Sequence, residues 1–326
     1  MADTPPDLDL SAHPNDAFFK TIFSEPQHAI AFFKNHLPSD IAKRIDWPSL
    51  AVLPTSFVQS SLRQIHSDLL FSVTIEGHPT LLYLLFEHQS TVDPTMPLRL
   101  FGYIGEILTQ HHKAHGLPLP PVLPFVFHQG PDAWNISTAF EDLFALPPDV
   151  SVQLLPFLPK FQYALLDLSR YQPVSQEKDD QLKIILQLMK LAREQQVLEF
   201  FKWLASTFSR QISDVLLRKV LLYALHSDSD LDVGQIFSSL SSNPELGERT
   251  MSVAEKLIAK GEARGEAKGE ARGMSKGLWI GKILMTEEFL GRKTSNPLLL
   301  ETLSLTELEK HYNLVHQEYE MRFKKV

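Results

Sequence analysis

The stretch from Ile65 to Gln89 constrains the fold of this chain more than any other. In IHSDLLFSVTIE (65–76) the odd positions Ile65, Leu69, Phe71, Val73 and Ile75 are apolar. The even positions His66, Asp68, Ser72, Thr74 and Glu76 are polar, with Leu70 the exception. A period of two marks a half-buried strand. PTLLYLLFEHQ (79–89) is nearly continuously apolar and turns polar only at its end, which suits a strand at the centre of a sheet. Gly77 and His78 between them make a two-residue turn with Gly first.

With Gly77 and His78 as the loop, Glu76 pairs with Pro79, and Asp68 falls directly opposite Glu87. Cβ atoms so placed lie ~4.5–5.5 Å apart. Two carboxylates at that separation repel unless a cation sits between them. Gln89, two residues past Glu87, points to the same face. Asp, Glu and Gln then converge at one end of an apolar sheet. A hard divalent cation such as Mg2+ takes such carboxylates and keeps several waters. It could polarise a phosphodiester and lower the pKa of a bound water. The competing reading is a pair of water-screened carboxylates at a strand end. A loop one residue longer would send the two side chains to different faces. His66 shares the parity of Asp68 and is a candidate accessory base. His88 has the opposite parity.

The segments around this hairpin are readable. Residues 1–12 are expected as a disordered leader, and HPNDAFFKTIF (13–23) as a helix with an early Pro and an apolar stripe. Asp16 sits in its first turn. Helical spacing continues over 27–36. LAVLPTSFV (50–58) reads as an edge strand, because Pro54 cannot donate to a ladder. Residues 95–115 read as a helix with Arg99, Tyr103 and Glu106 on one face. Arg99 is a candidate DNA-phosphate contact, against an ion pair with Glu106 or another acid. His111, His112 and His115 have ligand spacing, but no third ligand is near in sequence. PVLPFVFHQG (121–130) reads as a buried strand. Residues 176–245 carry helical apolar spacing throughout.

Residues 260–277 repeat KGEA RGEA KGEA RGMS KG. On a helix this places like charges at i,i+4, and each Gly costs ~1 kcal/mol against Ala. A weak helix or a solvated linker is expected there, followed by helices over 278–323 that end in basic residues. The organisation expected is a leader (1–12), a domain over 13–170, a helical region over 171–258, the repeat linker over 259–277 and C-terminal helices over 278–326.

Charge and cysteine content narrow the function. Lys+Arg number 31 and Asp+Glu 39, for a net charge of −8, which excludes a uniformly basic nucleic-acid coat protein. It leaves room for an enzyme that meets DNA through a local patch. There is no cysteine, so thiolate zinc sites, disulfides and Cys nucleophiles are excluded. The longest apolar run, Leu81 to Phe86, is too short to span a bilayer. A cytoplasmic location is expected.

HPNDAFFKTIF, Ser67-Asp68-Leu69-Leu70, LLFEHQST, Met96-Pro97-Leu98-Arg99-Leu100 with Tyr103, and LPFVFHQG with Trp134 follow one another in order. Together they resemble the Rpn family of recombination-promoting nucleases and transposase-like proteins, within the PD-(D/E)XK nuclease superfamily. The resemblance covers roughly residues 13–170. It implies an α/β fold: a restriction-endonuclease-like core, a mixed sheet flanked by helices, followed by a mainly helical C-terminal region. It implies that Asp68 and Glu87 are the motif carboxylates, that the His88 carbonyl is a backbone metal ligand, and that Gln89 stands where the superfamily commonly has Lys. Gln can orient a water but supplies no charge. The function implied is a Mg2+-dependent DNA endonuclease. The alternative is a catalytically weak scaffold that binds DNA or protein. DNA is the expected partner, with a homo-oligomer or a protein partner engaged through the C-terminal helices.

Overall fold

The computed structural model describes residues 13–53, 69–87, 92–147, 150, 153–207 and 212–323, without the side chains of residues 86, 87 and 260–272. Five strands form one mixed sheet in the order β1-β2-β3-β4-β5: Ile45–Leu53, Leu69–Ile75, His78–Glu87, Val122–His128 and Ala164–Asp167. The first three pair antiparallel, and β3, β4 and β5 run parallel. With helices on both faces, this sheet is consistent with the restriction-endonuclease-like core expected.

The hairpin register differs from the expected one. Ile75 pairs with His78 and Leu69 with Leu84, so Glu76 and Gly77 are the loop, in place of Gly77 and His78. Their φ values are 49° and 83°. This is the doubly left-handed loop whose twist matches a hairpin, and it takes Gly at its second position. Each residue of β2 therefore faces a partner two residues earlier than expected. A shift of two leaves the faces unchanged, whereas a shift of one would exchange them.

The edge strand also differs. It starts at Ile45, before Pro48, and its pairing with β2 is interrupted between Asp46 and Ala51. Pro48 lies in that interruption and has no N–H to give to a ladder. The Ser49 hydroxyl fills the gap by accepting from the Thr74 amide at 2.9 Å. Residues 54–58 of the expected edge strand lie outside the described residues. The four-residue strand β5 has no counterpart in the sequence reading, because so short an apolar run carries no usable period.

The helices α1 (Pro14–Phe23) and α2 (Pro26–His36) cover one face of the sheet. The layer between them and the sheet is aromatic. Phe19 lies 5.3 Å from Phe127, Phe32 4.9 Å from Phe125, and Phe33 5.3 Å from Phe71, centroid to centroid. Helix α3 (Met96–His115) covers the other face. There Leu70, Tyr83, Leu85 and Val126 pack with Met96, Leu100, Trp134 and Tyr163.

The chain after β5 returns to the α1–α2 side. Helices α4 (Asp180–Arg193), α5 (Val197–Thr207), α6 (Asp214–Ser227) and α7 (Val233–Ser239) follow. Phe18 stacks on Tyr223 of α6 at 4.2 Å, and Lys219 of α6 pairs with Glu25. Asn35 and His36 of α2 donate to the buried Glu177 at 2.6 and 3.1 Å. The described residues up to Ala254 thus belong to one compact unit, and those from Glu255 onward form a second.

Helix α8 (Pro244–Phe289) runs unbroken through the Gly-Glu-Ala-Arg repeat, where a linker was one of the two expectations. Its glycines are costly, but Ala, Glu, Lys and Arg between them are strong helix formers. Helix on both sides removes the cost of nucleation. In the second unit, α9 (Pro297–Glu301) and α10 (Leu305–Phe323) close a small core of Ile283, Leu300 and Leu308 with Trp279 and Tyr312. No helix among the described residues is long and apolar enough to cross a membrane.

Candidate functional site

The parallel half of the sheet brings three polar residues to one edge. Glu87 ends β3, His128 ends β4 and Asp167 ends β5. They are register partners, Glu87 with His128 and His128 with Asp167. Position 87 follows Tyr83 and Leu85 in strand alternation, on the face that α3 covers. The apolar strands determine this placement. Apart from His78 and Thr80 at the start of β3, each of these strands is without polar side chains up to its last residue.

His128 is fully buried. Its Nε2 lies 2.8 Å from the Asp132 carbonyl. A carbonyl only accepts, so Nε2 carries a proton and donates it. Nδ1 has no hydrogen-bond partner among the described residues. The His128 ring meets Trp134 edge-on at 5.1 Å. The Asp167 carboxylate is committed to its own loop. It accepts from the Trp134 amide at 2.9 Å and from the Ser169 amide and hydroxyl at 3.1 and 2.6 Å. It holds the turns after β4 and β5 together and is a positioning residue.

Of the residues expected to act, His66, Asp68, His88 and Gln89 lie outside the described residues. Glu87 is placed by its backbone, as the last residue of the expected strand.

Arg99 of α3 forms an ion pair with Asp93 at 3.0 Å, one of the acids the ion-pair reading allowed, and its Nε donates to the Tyr103 hydroxyl at 3.4 Å. Burial acts to raise the Asp93 pKa, but hydrogen bonds from Thr95 and the Arg99 guanidinium outweigh it, and the pKa is lowered. Asp93 also accepts from the Thr95 amide at 2.8 Å, and so ties Arg99 to the start of α3. Glu106 accepts from Gln110 at 2.7 Å. His111 and His115 are in ring contact at 4.7 Å, and burial and the neighbouring His115 lower the His111 pKa.

Among the described residues no group of three His, Asp or Glu side chains could hold a metal ion. A cation at this edge therefore needs donors from the segments beside it. Those segments offer two carboxylates and a backbone carbonyl, Asp68, Glu87 and His88. All are oxygen donors, the set that a hard divalent cation takes.

The sequence reading missed the polar cluster behind this edge. The Gln129 amide donates to the Met189 carbonyl at 2.8 Å, and the Tyr223 hydroxyl donates to Asn15 at 2.6 Å. Asn15 and Gln129 belong to the motifs HPNDAFFKTIF and LPFVFHQG, so their signal was a polar pair at the end of each motif's apolar stripe.

Comparison with known proteins matches residues 13–215 to the family described as "Putative transposase, YhgA-like". The chain is 28% identical over 251 residues to "Recombination-promoting nuclease RpnD" of Escherichia coli O157:H7, covering 75% of this chain and 94% of the relative. It is 26% identical over 255 residues to "Recombination-promoting nuclease RpnA" of Escherichia coli strain K12, covering 77% and 86%. It is 25% identical over 258 residues to "Inactive recombination-promoting nuclease-like protein RpnE" of the same strain, covering 77% and 83%. No solved structure matches.

Proposed function

Because this chain belongs to the family described as "Putative transposase, YhgA-like", we propose that it is a metal-dependent DNA endonuclease that hydrolyses phosphodiester bonds at the C-terminal edge of β3. The observation that carries this reading is the position of Glu87, the last residue of a central strand, abreast of His128 and on the face of the hairpin that α3 covers. The names of the relatives RpnD and RpnA support nuclease chemistry.

Asp68 and Glu87 would hold Mg2+ or another divalent cation, with the His88 carbonyl as a third oxygen donor. A divalent cation that keeps several of its waters can be held by carboxylates that do not touch each other. The bound cation would supply charge to the scissile phosphate and lower the pKa of a water. Gln89 orients the attacking water through its amide; being neutral, it leaves the developing charge to the cation. His66 is an accessory base within the same hairpin. Arg99 contacts a DNA phosphate once it leaves Asp93.

A second reading, a DNA- or protein-binding scaffold without turnover, is favoured by the similarity to RpnE, whose name describes it as inactive. Incubating the purified chain with supercoiled plasmid separates the two. Nicking that needs Mg2+, stops with EDTA and is lost in both Asp68→Ala and Glu87→Ala establishes the enzyme. No nicking by the wild type under any divalent cation establishes the scaffold. Nicking that is equal in wild type and both variants would overturn the site.

A further inference from the structure

One face of α8, within the second unit, is apolar and open among the described residues. Met274, Leu278, Met285 and Phe289 are 75%, 60%, 58% and 63% exposed. Phe289 meets the Tyr319 ring at 6.2 Å and is still mostly exposed. The core of this unit lies on the opposite side of the helix. There Ile283 is fully buried, and Glu287 accepts from Arg292 and Ser295.

Helical geometry makes the open face a line. Each residue advances about 100° around the axis, which sets Met274, Leu278, Met285 and Phe289 within one narrow arc. Positions 267, 271, 274, 278, 281 and 285 step alternately by four and three, the spacing of an a/d seam. They hold Ala, Ala, Met, Leu, Gly and Met. A Cβ at Gly281 would meet nothing within 4 Å, so the seam is open there too. Exposed apolar side chains in a contiguous row mark an interaction surface, and their removal from water is the drive to cover it.

The flanks of the seam select the occupant. In the repeat, Ala263, Ala267 and Ala271 recur every four residues. Glu262, Glu266 and Glu270 precede them, and Arg264, Lys268 and Arg272 follow them. One flank of the Ala row is therefore acidic along its length and the other is basic. Within a single helix this pattern places like charges at i,i+4, which is destabilising. Against a parallel copy, the acidic flank of each helix lies beside the basic flank of the other, on both sides of the seam. An antiparallel copy sets acid beside acid and base beside base. Charges that flank an a/d seam set both the partner and its direction.

We propose that this chain forms a homodimer in which two α8 helices pair in parallel and in register along residues 263–289. Such a pairing closes on itself with two-fold symmetry. The interface lies wholly in the second unit and does not rest on the nuclease reading.

The chain has no cysteine, so single introduced thiols report which positions meet. Sedimentation equilibrium of the full-length wild type should give twice the chain mass. Leu278→Glu combined with Met285→Glu should reduce this to one chain with an unchanged far-ultraviolet spectrum, because both side chains are exposed in the single chain. Met274→Cys and Met285→Cys, made separately, should each become a disulfide-linked dimer with copper phenanthroline as oxidant. Identical residues face each other at every level of a parallel pair in register, whereas an antiparallel pair brings a residue to its own copy only near the two-fold axis. Leu314→Cys, exposed on α10, should stay mostly uncrosslinked over the same time. A wild type that remains a single chain at every concentration up to its solubility limit overturns the proposal. So does a dimer that persists in the double Glu variant. Failure of either Met position to cross-link faster than Leu314→Cys overturns the parallel register. A dimer that meets all these expectations but nicks no plasmid upholds the interface while the nuclease reading fails.

Discussion

Glu87 and His128 are register partners at the C-terminal ends of two adjacent parallel strands. The buried His128, anchored to the Asp132 carbonyl at 2.8 Å, thereby supports the edge on which Glu87 sits. This makes the strand ends the mechanical base of the proposed site, although His128 needs no contact with DNA to serve it.

Replacing His128 with Ala removes a donor from a carbonyl and leaves a hole beside Trp134. The expected loss is about 1–3 kcal/mol of stability. A urea denaturation midpoint unchanged from wild type would count against this role.

Gly77 holds φ at 83° in the two-residue loop. A Cβ there meets nothing within 4 Å, so the cost of Gly77→Ala is backbone conformation alone. About 1–2 kcal/mol is expected, read as a fall in thermal midpoint with an unchanged spectrum in the far ultraviolet. A neutral substitution would contradict the loop assignment and with it the hairpin register.

Phe127 is fully buried and touches Phe19 and Phe23 of α1 and Phe32 of α2. Phe127→Ala opens a cavity between the sheet and both helices, and about 3–5 kcal/mol should be lost. Phe127→Leu keeps most of the volume and should lose less. Equal losses would mean that the ring packing contributes little.

Glu177 is 4% exposed and accepts from Asn35, His36 and the amides of Lys178 and Asp179. Burial alone would raise its pKa, but the hydrogen bonds from His36 and these amides outweigh burial, and its pKa lies below the ordinary value of 4.5. The folded form therefore prefers the carboxylate. The stabilisation is present above pH 4.5 and disappears as the pH falls through the lower, folded-state value. Glu177→Gln should lose about 1–3 kcal/mol near neutrality, and the gap to wild type should close in acid. A gap that is independent of pH would show that shape, not charge, is what Glu177 supplies.

Much of this architecture is legible residue by residue. Alternation over 69–75 and the apolar run over 79–87 mark β2 and β3, and Pro at the start of α1, α2 and α3 marks where each helix begins. The hairpin loop was misjudged by one residue because Gly77 suits either loop position, and the twist of the flanking strands is what selects between them. β5 was invisible because four residues carry no period. At the site, Glu87 was found from the polar end of its strand. Gln129 was not weighed, because its significance depends on Met189 and Tyr223, far away in the chain.

By itself, then, the sequence determined the type of most elements, the polarity of the strand ends and, through the lack of cysteine, the exclusion of thiolate chemistry. These follow from local periodicity and side-chain chemistry. Tertiary structure alone decided which strand ends stand abreast, that Arg99 pairs with Asp93, and that Gln129 meets Met189 and Tyr223. Those depend on parallel pairing and on helices returning to the sheet from 60 and 94 residues away, relationships that no local pattern encodes.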